Sequence, residues 1–189
     1  MSWYPHNPAA GQKIQGVAGT TPCDEAFIAH EAITAVLGST KTIHATLTCG
    51  EAAVDVTTAI TQPDVARNLV VTGNAGADEK ITITGTNLAG ETISEDFTLS
   101  GTNAQTGAKA FKTVTNIHTP IGTHTAAIVC GNVLGLINKI DGAVMVKSLF
   151  NKAADAGTLV TSASALESNT YAPAGTLDGT KVLDLYYLV

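Results

Sequence analysis

The sequence predicts an all-β protein, a β-sandwich or barrel-like domain, and three observations carry that reading. Short stretches rich in Val, Ile and Thr recur along the chain, several of them alternating apolar and polar residues. Gly, Asn and Asp punctuate them at the spacing of tight turns. Only 5% of the 189 residues are aromatic and 14% charged, so the core must be aliphatic and much of the surface Thr, Ser, Ala and Asn. The charged share is well below the roughly 25% of ordinary soluble domains. Such a surface loses water at little cost and suits a subunit of an assembly.

Residues 1–22 carry Pro5, Pro8 and Pro22 among several glycines and support no regular element of any length. They read as an extended N-terminal arm, ahead of a single β-rich domain over residues 23–189. The arm opens on Trp3, Tyr4 and Pro5, and exposed aromatics favour docking on a neighbour or on the protein's own body. Residues 24–37 predict one short helix. Asp24 can cap it, Glu25 falls in its first turn, Phe27, Ile28, Ala32 and Ala35 recur near helical spacing, and Gly38 is a stop. The β-branched Ile33 and Val36 leave a strand open there.

From residue 41 the pattern is β. Residues 41–49 place Ile43, Ala45 and Leu47 on one face, and residues 52–60 give a second short strand. Pro63 breaks the ladder before a third, "RNLVVTG", at 67–73. Residues 79–101 form the clearest hairpin, with a Gly- and Asn-rich tip. Glu95 shares the apolar face of Ile93, Phe97 and Leu99, which predicts a nearby sheet edge or a bulge. Phe111, Val114 and Ile117 fit neither period and predict a bulge or short turn. Further strands are expected at 124–136, 143–150 and 157–166. The chain closes on an apolar strand with Leu183, Leu185, Tyr187 and Val189 on one face.

Residues that could carry chemistry are dispersed. The sequence has no GxSxG, HExxH, P-loop or GxGxxG pattern. His6, His30, His44, His118 and His124 lie apart, although His118 and His124 flank a turn that could bring them together. Glu95 and Asp96 are adjacent, so on a strand they point to opposite faces and cannot flank one bond. Cys23, Cys49 and Cys130 form no CxxC motif and read as small buried groups, with a Cys49–Cys130 bridge or a bridge between subunits also open. The reading is a protein that is not an enzyme and has no cofactor and no metal. Net charge is −6 with no basic cluster, which argues against direct nucleic-acid binding. No apolar run reaches membrane-spanning length, and the N-terminus lacks a signal-peptide pattern, so assembly in a cytoplasm is expected.

Several stretches occur in a telling order: "HEAITAVL", "TTAITQPDVARNLVVTG", "ITITGTNLAGETISEDFTLSG", "KAFKTVTNIHTP", "VLGL" and "SALESNTYAPAGTLDGTKVLDLYYLV". In that order they resemble structural proteins of tailed-bacteriophage virions, often described as capsid decoration (cement) proteins. The resemblance runs from about residue 30 to the last residue. The family pattern has a proline where this chain has Ala66, and Gly-Leu-Pro where it has Gly135-Leu136-Ile137. The resemblance implies a non-enzymatic virion component on the capsid surface, assembled in the host bacterial cytoplasm. Its partners would be the major capsid protein and further copies of itself, as a homotrimer bridging capsomers and stabilising the capsid. It brings no catalytic residues. A tail-tube, baseplate or connector component is the alternative within the virion, and a glycan-binding β-sandwich the alternative outside it.

Arg67 is the remaining candidate, in "TQPDVARNLVVTG". Asp64 is close enough to pair with it across a turn, and a guanidinium can donate to several loop carbonyls. Arg67 is therefore expected to hold the crossover before the buried run Leu69–Val71, or else to touch another subunit.

Overall fold

The computed structural model describes residues 27–74, 77–142 and 145–189 and bears out the all-β class. The arm foreseen over residues 1–22, with Trp3, Tyr4 and Pro5, lies outside the described residues. The strands are β1 (Ile28–Thr34), β2 (Thr42–Thr48), β3 (Val54–Val56), β4 (Arg67–Gly73), β5 (Ala77–Thr86), β6 (Thr92–Ser100) and β7 (Ala104–Thr106). They continue with β8 (Thr113–Thr119), β9 (Thr125–Gly135), β10 (Met145–Phe150), β11 (Ala153–Ala154), β12 (Thr158–Val160), β13 (Thr170–Ala172) and β14 (Val182–Leu188).

The strands form three antiparallel sheets. The first is ordered β1-β14-β10-β11, the second β12-β13-β9-β4-β7 with β2 also on β9, and the third β3-β8-β5-β6. Two cores follow. Ile43, Leu47, Leu69, Val71 and Ile128 of the second sheet pack on Ile81, Ile83, Phe97, Leu99 and Ile117 of the third. Leu183, Leu185 and Tyr187 of the first sheet pack on Leu134, Leu136 and Tyr171 at the other end of the second.

Strand β9 serves both cores, and a bulge lets it do so. Arg67 on β4 pairs with Leu134, and Leu69 pairs with Cys130, so Asn68 alone faces residues 131–133. The Asn68 carboxamide fills the gap. Its Oδ1 accepts the Val133 N–H at 3.0 Å and its Nδ2 donates to the Gly107 carbonyl at 2.9 Å. Ala126, Ile128 and Cys130 thus enter the first core, and Leu134 enters the second. Residue 131 must be glycine here, because a Cβ would collide with the Asn68 side chain.

The predicted helix over 24–37 is overturned. Residues 28–34 are β1, paired in unbroken antiparallel register with β14 from Ile28↔Leu188 to Thr34↔Val182. The spacing that suggested a helix came from mixing two strand faces. Glu31 is buried on the inner face with Ala29 and Ile33 beside it, while Ile28 and Ala32 face outward. The helical turns among the described residues are Gly38–Thr40 and Leu166–Ser168, each a single 3-10 turn.

The bulge foreseen near Val114 is present: the β5–β8 register shifts between Thr84 and Gly85, which brings both Val114 and Ile117 into the core. Glu95 does share the apolar face of β6, at the sheet edge, and the register there is unbroken. Its carboxylate accepts the Ala108 N–H at 2.7 Å and reaches the Lys109 N–H at 3.4 Å. Ala45 departs from the expected alternation and is exposed, because the β2–β9 register shifts on either side of His44.

Replacing Gly131 by Ala must displace Asn68 from two hydrogen bonds. Urea denaturation of Gly131→Ala should show a loss of about 1–3 kcal/mol. Gly50→Ala, where nothing lies within 4 Å of the added carbon, should stay within about 0.5 kcal/mol of the parent.

Candidate functional site

Arg67 is the largest fully buried side chain of the described residues. It opens β4, and its backbone exchanges hydrogen bonds with Phe111 at 3.1 and 2.8 Å. Residues 67, 69 and 71 share one face of the strand, so the guanidinium points inward like Leu69 and Val71. There Nη1 donates to Asp64 Oδ1 at 2.8 Å, and Nη2 donates to the Val36 carbonyl at 3.0 Å. Asp64 Oδ2 in turn accepts the Val36 N–H at 2.9 Å.

The two side chains together satisfy both backbone groups of Val36, as a paired strand would. Val36 lies between β1 in the first sheet and β2 in the second. The pair therefore clamps the crossover that joins the two cores. Nε of Arg67 is buried and has no partner among the described residues. Burial would raise the Asp64 carboxyl. The Val36 N–H and the Arg67 guanidinium outweigh that and hold it below the usual carboxylate range. The expected pairing of Asp64 with Arg67 is thus present, and the carbonyl that Arg67 holds is Val36.

Ala66 and the Gly135-Leu136-Ile137 run meet beside this clamp. The Gly135 N–H donates to the Ala66 carbonyl at 2.8 Å, and a Cβ on Gly135 would stand 3.3 Å from that of Ala66. Ile137, next but one, gives its N–H to Glu31 Oε1 at 3.0 Å, a bond that a proline could not make. Glu31 also accepts from the buried Tyr187 hydroxyl, and Asn138 donates to the same hydroxyl at 3.1 Å. Burial first, then Glu31, pushes the Tyr187 phenol well above its ordinary range.

The histidines among the described residues that bond carboxylates each meet a different one. His118 Nδ1 contacts Asp55 at 2.8 Å and His124 Nε2 contacts Glu79 at 2.8 Å, so the turn between them does not join them at one site. His30 stacks on Tyr186 with ring centroids 4.4 Å apart and meets Asp184 at 3.2 Å. Among the described residues no three His, Cys, Asp or Glu side chains are grouped to hold a metal ion. Cys49 and Cys130 are buried and unbridged, and burial pushes the Cys130 thiol up to about 11. Tyr171 and Tyr187 are core residues and offer no aromatic platform to a sugar.

Three further buried polar residues and the half-buried Asp155 carry no sequence signal beyond their type. Asn169 accepts the Ile140 and Ser162 N–H groups and donates to the Ser162 and Ala165 carbonyls, all at 2.8–3.0 Å. Asn87 accepts from Ala89 and Glu91 at the β5–β6 tip. Asp155 accepts from Gly157, Tyr171, Ala174 and Gly175. Asn68 holds the β9 bulge. Each one ties irregular backbone, which must find partners when buried.

An open cleft of about 390 Å³ lies beside β1, lined by residues 30–34 on one side and by Val65, Ala66, Leu88, Lys112 and Ile137 on the other. The chain matches no protein-family description, curated protein or solved structure with which it was compared.

The clamp gives two expected outcomes. Arg67→Ala leaves Asp64 and the Val36 carbonyl without their partner and should lower stability by about 3–5 kcal/mol in urea denaturation. The folded Asp64 carboxyl ionises below its unfolded pKa of about 3.9. Its stabilisation is therefore present above that value and is lost as pH falls through the folded pKa. Asp64→Asn should be less stable at neutral pH and should flatten the acid limb of a stability–pH curve. An unchanged acid limb would show that the pair does not set it.

Proposed function

We propose that the chain is a capsid decoration protein of a tailed bacteriophage, a non-enzymatic component that binds the outer surface of the head and bridges capsomers. The observation that carries this reading is the use made of buried polar side chains. Arg67, Asn68, Asn87 and Asn169 each bond backbone groups of the same chain. Such a body is built to hold shape, the requirement of a part that reinforces a shell. The ordered resemblance to virion structural proteins supports the same reading, as does a surface poor in charge.

Attachment would work through many modest contacts. Copies associate through their low-charge faces, and the arm over residues 1–22 reaches the major capsid protein with Trp3 and Tyr4 as anchors. Aromatic side chains supply much contact area for little lost freedom, and several weak attachments act together. No reactive group is needed.

The test adds the purified chain to phage heads that lack it. Saturable binding to heads, with a threefold species in solution, is expected. A sixfold ring, or density confined to the tail in virion images, would overturn the reading. Removing residues 1–22 should leave a folded body, since β1 begins at Ile28. That body should no longer bind heads, and full decoration by it would refute the role of the arm.

A further inference from the structure

Edges of β-sheets invite unwanted pairing, and folded proteins protect them. Most edges here are protected. Strands β3, β7 and β12 have three residues each and β11 has two. Strand β2 is broken by register shifts. The long edge β6 is covered by residues 107–109: Glu95 holds the Ala108 N–H, and Lys109 Nζ donates to the Ser94 carbonyl at 2.8 Å.

Strand β1 differs. It is seven residues long, regular and without proline or lysine. Phe27 and Val189 exchange hydrogen bonds at 3.2 and 2.9 Å. By the alternation of an antiparallel ladder, Ala29, Glu31 and Ile33 then face β14, and Ile28, His30, Ala32 and Thr34 turn their N–H and C=O groups outward. No described residue bonds those outward groups. Five consecutive residues of this strand, 30–34, line the cleft. The opposite wall is Val65, Ala66, Leu88, Lys112 and Ile137.

We infer that this cleft receives an extended segment of a second copy of the chain, residues 9–21, as an added strand on β1. The inference rests on the reading of the protein as a self-associating virion component. Residues 9–21 are the longest proline-free run before Phe27, bounded by Pro8 and Pro22, so every one of their N–H groups can pair. The run spans roughly 40 Å when extended, enough to cross between adjacent copies. Ile14 is its largest apolar side chain, and Gly16 and Ala18 follow on the same strand face, so one anchor can enter the cleft while the backbone comes close. Head-to-tail exchange of this kind closes into a ring when the rotation between copies is one third of a turn, as a threefold assembly requires. It leaves residues 1–8, with Trp3 and Tyr4, to reach beyond the ring.

Full-length variants test it by sedimentation and light scattering. The Ala32 N–H points outward, so Ala32→Pro removes an edge donor and keeps the β1–β14 ladder. Ile14→Asp spoils the anchor. Each variant should keep the parent's circular dichroism and a cooperative urea transition, and should fall from the wild-type oligomer to the 19.3 kDa of one chain. Mixed together, they should form a 1:1 pair, because Ala32→Pro still has a sound arm and Ile14→Asp a sound groove. A monomeric wild type, an Ala32→Pro oligomer of unchanged mass, or a mixture that fails to pair would each overturn the inference. Head binding, measured separately, would still decide the decoration role.

Discussion

The structure depends on an ion pair, a fully buried Arg67 and a half-buried Asp64, that imitates a strand. Asp64 and Arg67 take both backbone groups of Val36, at the point where the chain leaves the first sheet for the second. Without them, a half-buried peptide unit between the two cores would lose both of its protein partners. Burying a guanidinium is unfavourable, and a well-packed apolar residue of similar volume often does as well in other folds. Here the replacement would have to satisfy Val36 too, which no apolar side chain can do. A lysine could offer one donor to the carbonyl and one to the carboxylate, but not the planar fork that reaches both at 2.8–3.0 Å.

The same logic recurs with amides. A fold of many short strands has much irregular backbone, and here that backbone is packed between sheets. Asn suits such places because one short side chain carries both a donor and an acceptor. Asn169 ties the segment 137–140 to the segment 162–166, and Asn68 stabilises the bulge that lets β9 belong to two cores. These positions explain how a chain with few charges and few aromatics can hold an irregular architecture. The polar residues that a surface would have used are partly spent inside.

The legible parts of the sequence were those where one period ruled. The β5–β6 hairpin and β14 alternate cleanly, and Ile81, Ile83, Ile93, Phe97, Leu99, Leu183, Leu185 and Tyr187 are buried as predicted. The very short strands β7, β11 and β13 were not visible, because two or three residues carry no period. Strand β1 was misread because its inner face holds Glu31 between Ala29 and Ile33. A buried carboxylate looks like the polar side of a helix until Tyr187, far away in sequence, is seen to bond it. The pairing of Asp64 with Arg67 was readable from a spacing of three. The other half of the clamp was not, since Val36 is separated from Arg67 by 31 positions and contributes only backbone, which sequence type cannot reveal.

Strand β1 also shows how holding a strand in place and leaving its edge open go together. On one side it is fixed three times over: by the ladder with β14, by Glu31 reaching Tyr187 and Ile137, and by the clamp at Val36 just beyond its end. These attachments use the inner side chains and the backbone groups facing β14. They leave the outward groups of Ile28, His30, Ala32 and Thr34 in straight register. A loosely held edge would lose affinity by having to order itself on binding, whereas this one is ordered beforehand. The charged devices that guard other edges of the protein have no counterpart along β1: its one carboxylate, Glu31, points inward and is already satisfied. The rigidity supplied by the Arg67 clamp and the openness of the β1 cleft are therefore one design, in which the interior fixes a strand so that its far edge can serve as a template.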